Sequence, residues 1–203
     1  MATTADGYGM AQWQGKTALV TGASNGIGAA LAGRLLREGM HVVGCARRQD
    51  RVAEVLTAAD TSGQNSLAVE CDVRDEKSVQ KAFAAARKRF GGVDVLINNA
   101  GLGHANPLAE GKVDEWREML DVNVLGLCIC TREALADMRS RGDRGHIIHI
   151  GSMAGQRVPA GAGLYAATKH AVRALTESLR IELRENEDSI RVGELCPGFV
   201  ETG

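Results

Sequence analysis

Tyr165 and Lys169 stand four residues apart in the run Tyr165-Ala166-Ala167-Thr168-Lys169, so on a helix the phenol and the ammonium share one face, one turn apart. A phenol ordinarily holds its proton too tightly to act as a base near neutral pH. A neighbouring cation favours the phenolate, and such a pair can give and take a proton. A second constellation lies near the start of the chain, where TALVTGASNGIGAALAGRLLREG runs from an apolar stretch through Gly22, Gly26 and Gly28 into an amphipathic helix. The first glycine permits a tight turn, the second lets the backbone approach a pyrophosphate, and the third lets the helix pack close to the strand. The helix start then offers free N–H groups and a positive dipole end to phosphate. This predicts a dinucleotide site with Gly22, Ser24, Asn25, Gly26, Ile27 and Gly28 around the phosphates.

The next apolar run, His41-Val42-Val43-Gly44-Cys45, is followed by Ala46-Arg47-Arg48, with no acid at its tip. An acidic residue there would suit the ribose hydroxyls of NAD, whereas the planar fork of Arg47 suits a 2′-phosphate, with Arg48 adding charge from the start of the next helix. The sequence therefore predicts NADP(H) in preference to NAD(H).

The elements that must hold these groups are legible in the alternation of short Val-, Ile- and Leu-rich runs with longer helical ones. That is the pattern of a doubly wound α/β fold, a Rossmann-like parallel sheet with helices on both faces. Strands are expected over 16–21, 41–45, 66–71, 93–98, 146–151 and 190–195. Near-continuous apolar runs such as VDVLIN and HIIHIG indicate strands covered on both sides. A helix over 75–90 carries Val79, Phe83 and Ala86 on one stripe and stops at Gly91-Gly92. Trp116 and Met119 share a stripe with Asn123 and are read as core packing. Without repeats, low-complexity tracts or Pro- and Ser-rich linkers, residues 15–203 read as one domain behind a flexible N-terminus over 1–14.

The spacing TGASNGIG, with Asn98-Asn99-Ala100-Gly101, Asn123, Ser152 and the Tyr165/Lys169 pair in that order, resembles the short-chain dehydrogenase/reductase family. The likeness runs from about Gln14 to Thr202. Stretches such as CICTREA and HIIHIGSMAGQRV resemble the branch holding vertebrate dehydrogenase/reductase family member eleven and insect NADP-dependent farnesol dehydrogenases. The resemblance implies that Tyr165 is the general acid/base and that Lys169 also holds the nicotinamide ribose. It implies that Ser152 donates to the substrate oxygen and that Asn123 holds a water continuing the proton path. It further gives Asp72 to the adenine amino group, Asn98 to the central sheet, the Ala100-Gly101 backbone to the ribose and Pro197-Gly198 to the nicotinamide amide, with Val73 and Asn99 also among the cofactor-binding residues. The expected reaction interconverts a carbonyl and an alcohol. Members of the family normally continue past the Pro-Gly turn through a lid and a seventh strand, so six strands are expected here, with the outer edge of the sixth bare.

Other classes fit poorly. A net charge of -1 with 24% charged residues calls for no nucleic acid, and Arg87-Lys88-Arg89 reads as a solvated helix end. No apolar stretch has the length to span a bilayer, and the start carries no secretory or import pattern, so the cytosol is the expected compartment. Five cysteines form no CxxC pair and read as buried, reduced filler. His146 and His149, three apart on a strand, point to opposite faces, and no metal is expected. Sugar-nucleotide epimerases space their glycines differently and carry a larger C-terminal domain. A cofactor-binding but weakly active form with a regulatory role is the principal rival. The substrate pocket is assigned to Leu102, His104, Asn106, Met153, Gly155, Val158 and Phe199, mostly apolar or small. This favours a lipophilic carbonyl or alcohol, with a homodimer or homotetramer as the family-like assembly.

Overall fold

A computed structural model describes residues 9–201. Its sheet contains six parallel strands: β1 (Thr17–Thr21), β2 (His41–Ala46), β3 (Ser66–Glu70), β4 (Val95–Asn98), β5 (Arg144–Ile150) and β6 (Ser189–Leu195). Their order is β3-β2-β1-β4-β5-β6, so the chain reverses direction across the sheet between β1 and β4. The carboxyl ends of those two strands open the crevice in which ligands of doubly wound folds sit. Every residue of β1 and β4 is buried, as their unbroken apolar runs require.

Helices α1 (Gly26–Arg37) and α2 (Gln49–Ala59) cover one face, where Ala32, Leu36, Val52 and Leu56 meet Ala18, Val20, Val42 and Ile97. Helices α3 (Glu76–Phe90), α5 (Leu127–Ser140) and α6 (Gly163–Glu185) cover the other, where Phe83, Met138 and Leu179 pack on Leu19, Leu96 and Ile147. The predicted stripe of α3 is confirmed: Val79, Phe83 and Ala86 are buried, and the helix ends at Gly91 in the left-handed region, behind the basic turn Arg87 to Arg89.

Two strands start two residues away from the sequence reading. β4 begins two residues later than expected, because the Val93 N–H is already taken by the buried Asp137 carboxylate at 2.8 Å. β5 begins earlier, because Arg144 and Gly145 pair with Ser189 and Ile190. Residues 1–8 of the expected flexible N-terminus lie outside the described residues. Met10–Trp13 form a 3-10 turn, and Trp13 packs against the core and stacks on His146 at 6.2 Å. Between α4 (Val113–Leu120) and α5 the chain widens into a π-helical segment, Asp121–Gly126, which holds Asn123. Such bulges accompany functional sites.

Candidate active site

The glycine turn is built for close approach. Gly22 has φ +68°, and a Cβ there would stand 2.9 Å from both Ala100 Cα and Asn99 Nδ2. A Cβ on Gly28 would collide with the Gly22 carbonyl oxygen and Asn99 Nδ2. Asn99 is the staple: its Nδ2 donates to the carbonyls of Thr21 (2.9 Å) and Gly22 (3.2 Å). The Thr21 hydroxyl accepts from the N–H groups of Asn99 and Ala100, each at 3.0 Å. Sequence reasoning placed Asn99 among the cofactor-binding residues and overlooked Thr21, whose only signal was its place just before Gly22. At the start of α1 the Asn25 side chain makes no capping hydrogen bond, which leaves the first N–H groups of the helix available to an anion.

A cavity of about 810 Å³ runs along the carboxyl ends of the strands. It is lined by Gly22, Ser24, Asn25, Gly26 and Ile27, by Arg47 and Arg48, by Asp72 and Val73, by Asn99 to Gly101, by Ser152, Tyr165 and Lys169, and by Pro197 and Gly198. Gly28 and Asn123 stand behind this wall and shape it. The turn, the uncapped helix start and the long cleft fit a dinucleotide. No group of three or more His, Cys, Asp or Glu suited to a metal occurs among the described residues.

At the adenosine end the expected acceptor is already engaged. Arg74 forks onto Asp72, with Nε 2.9 Å from Oδ1 and Nη2 2.6 Å from Oδ2, and holds that carboxyl below the ordinary carboxylate range, with a smaller pull from Arg47. The Asp72 carboxylate, expected to meet adenine, is thus shared with Arg74, a partner that the Asp-Val-Arg spacing could have suggested.

At the other end three side chains converge. Lys169 is buried and donates from Nζ to the Ile150 carbonyl at 2.9 Å, and Nζ lies 5.9 Å from the centre of the Tyr165 ring. Burial pushes the Lys169 pKa down, and the Glu194 carboxylate on β6 opposes that shift. Ser152 follows β5 in extended conformation and accepts from the Ala154 N–H at 3.1 Å. Its hydroxyl hydrogen has no acceptor among the described residues and stays available to a substrate oxygen. A Cβ on Gly101 would lie 3.3 Å from Asn123 Oδ1 and 3.6 Å from Lys169 Nζ, which places Asn123 beside the lysine.

The Asn123 side chain is held by three hydrogen bonds to protein. It accepts from Leu102 N (2.9 Å) and donates to Leu102 O (2.8 Å) and Thr168 Oγ1 (3.0 Å). Its amide thus anchors the loop at Leu102 with both amide hydrogens in use, while Oδ1 keeps one acceptor position. Among the assigned pocket residues, Leu102, His104 and Phe199 line the cavity. Asn106 does not: it is buried and bonds both the N–H and the carbonyl of Lys112, closing a loop. Gly155 presses on the Lys169 carbonyl, where a Cβ would come within 2.6 Å. Met153 and Val158 are exposed outside the cavity wall.

The family pattern described as short chain dehydrogenase matches residues 16–203. The chain belongs to the short-chain dehydrogenase/reductase family. It is 48% identical to dehydrogenase/reductase SDR family member 11 of Gallus gallus over 96% of this chain and 78% of that protein. It is 45% identical to a farnesol dehydrogenase of Aedes aegypti over 95% of this chain and 80% of that protein. Among solved structures, a short-chain dehydrogenase/reductase from Burkholderia phymatum in complex with NAD superposes with a TM-score of 0.90 at 34% identity, covering 94% of this chain and 68% of that one. The closed form of a serine dehydrogenase complexed with NADP+ does so at 0.84 and 35%, covering 91% and 73%. The chain is therefore an oxidoreductase acting on CH–OH groups with a nicotinamide cofactor. No helix among its described residues is long and apolar enough to cross a membrane.

Proposed function

We infer that this dehydrogenase uses NADP(H) in preference to NAD(H) to interconvert a lipophilic ketone or aldehyde with its alcohol. The observation that carries the cofactor preference is the tip of β2. Ala46, Arg47 and Arg48 line the cavity there, no carboxylate of that strand end competes for a ribose, and Arg47 is exposed and near enough to act on Asp72. An exposed guanidinium beside the ribose position suits a 2′-phosphate.

The nicotinamide, when bound, supplies or takes the hydride. The chain's own residues do the rest. Tyr165 gives a proton to the carbonyl oxygen during reduction and takes it back during oxidation. Ser152 donates its unused hydroxyl hydrogen to the same oxygen and so stabilises the charge that develops on it. Lys169, held by the Ile150 carbonyl, keeps a positive charge beside the phenol ring. Leu102 and Phe199 supply apolar wall to the substrate.

The test is NADPH and NADH oxidation followed against a panel of steroid, isoprenoid and aromatic carbonyls. Turnover with a higher kcat/KM for NADPH is expected. Equal values for the two cofactors would remove the preference, and tight NADPH binding without any turnover would favour a regulatory role.

A further inference from the structure

One wall of the cavity carries a chain of charged groups that the reaction does not require. Arg74, forked onto Asp72, has Nη1 3.8 Å from Glu118 Oε1, and the other Glu118 oxygen lies 2.9 Å from His104 Nε2. Asp72, Arg74 and His104 all line the cavity, while Glu118 backs them from α4. The His104 ring is thus fixed through one nitrogen. Its Nδ1 has no hydrogen-bond partner among the described residues, and its side chain is 33% exposed.

The main chain sets where that ring stands. Asn123 grips both the N–H and the carbonyl of Leu102. Gly103 lies flat against the catalytic phenol, so that a Cβ would stand 3.1 Å from Tyr165 Cδ2. His104 follows directly, at the end of the cavity where the proton is transferred.

We propose that His104 pairs with a hydroxyl group carried by the substrate beside the reacting carbon, so that the preferred substrate is a hydroxy ketone on an apolar frame, or the corresponding diol in oxidation. This rests on the carbonyl-reduction reading above and adds the second functional group. A neutral ring that gives Nε2–H to Glu118 leaves Nδ1 as an acceptor, whereas the imidazolium leaves Nδ1–H as a donor. A hydroxyl pairs with either form. A carboxylate pairs only with the cation and meets the Glu118 charge, and an apolar substituent leaves the ring nitrogen without water or partner. Sites that hydrogen-bond a substrate group reject analogues lacking it more sharply than apolar pockets sort by size.

The experiment measures kcat/KM with NADPH for two matched pairs: 2-hydroxyacetophenone against acetophenone, and 2-hydroxycyclohexanone against cyclohexanone. The hydroxy-to-deoxy ratio is compared between the wild type and His104→Phe, which cancels intrinsic carbonyl reactivity. The ratio is expected to fall about tenfold in the variant, whatever the change in the rate on the deoxy ketone, which the ratio cancels. Glu118→Ala, which releases the ring, should lower the ratio in the same direction. His104→Leu, which also lacks a polar atom, is used if the phenylalanine variant does not fold. Where turnover is too slow to measure, the dissociation constants of the same pairs for the Tyr165→Phe protein saturated with NADPH give the ratio. A hydroxy-to-deoxy ratio that His104 variants leave unchanged overturns the proposal. Absence of turnover on every carbonyl would instead count against the carbonyl-reduction reading, and the binding ratio would still decide the role of His104.

Discussion

Replacing His149 with asparagine should flatten the acid side of the stability profile. His149 is buried on β5 within a polar chain that crosses the molecule beneath the active site. Asn98 Nδ2 donates to Thr131 Oγ1 (2.9 Å), Thr131 Oγ1 lies 3.2 Å from His149 Nε2, and His149 Nδ1 lies 2.8 Å from Thr176 Oγ1. Thr176 gives its own hydrogen to the Val172 carbonyl, so it must accept from Nδ1–H, and Nε2 must accept from Thr131. This assigns a neutral ring, and burial pushes its pKa down to about 4. The folded value lies below the unfolded one, so the unfolded chain takes up the proton first. Stability therefore falls as pH drops through about 6.5, and the loss is complete below about 4. At about 1.4 kcal/mol per unit the full loss is about 3 kcal/mol, of which about 2 kcal/mol appears between about pH 7.5 and pH 5. Urea unfolding of wild type and His149→Asn at those two pH values measures it. The hydrogen bonds lost in the variant cost the same at both, and the other titrating groups cancel. The wild type should lose about 2 kcal/mol more than the variant on acidification. Equal losses would refute the neutral, buried assignment.

Arg47→Ala should weaken NADPH binding about tenfold or more relative to NADH, since a charge-assisted contact contributes about 1.5 to 3 kcal/mol, and Ala46→Asp should shift the preference further towards NADH. Dissociation constants for both cofactors check this, and equal changes would remove the assignment. Gly28→Ala should raise the NADPH dissociation constant and cost about 1 to 3 kcal/mol of stability, because its methyl group would meet main chain that cannot yield. Thermal unfolding together with cofactor titration would show both effects.

Much of this architecture could be read from residue types. The apolar runs located all six strands, and Gly22, Gly26 and Gly28 located the turn from β1 to α1, because a covered parallel strand and a tight strand-to-helix turn leave strong one-dimensional patterns. Tyr165 and Lys169 were legible for the same reason, being one helical turn apart. What could not be read were partnerships across the fold. Glu118 on His104 and Asn123 on Leu102 join residues whose spacing in sequence carries no period. Asn106 was assigned to the pocket among mostly apolar or small residues, yet its amide closes a loop on Lys112. The π-helical widening at Asn123 also has no compositional mark.

The most direct test of the central claim is isotope transfer. NADPH carrying deuterium on both C4 positions, incubated with the wild-type protein and a carbonyl that it reduces, should deliver one deuterium to the carbinol carbon of the product, detected by mass spectrometry. Tyr165→Phe should bind NADPH nearly as well yet form the labelled alcohol about 10²- to 10⁴-fold more slowly. Wild-type protein that binds NADPH without labelling any product, or a Tyr165→Phe variant that labels at the wild-type rate, would contradict the account.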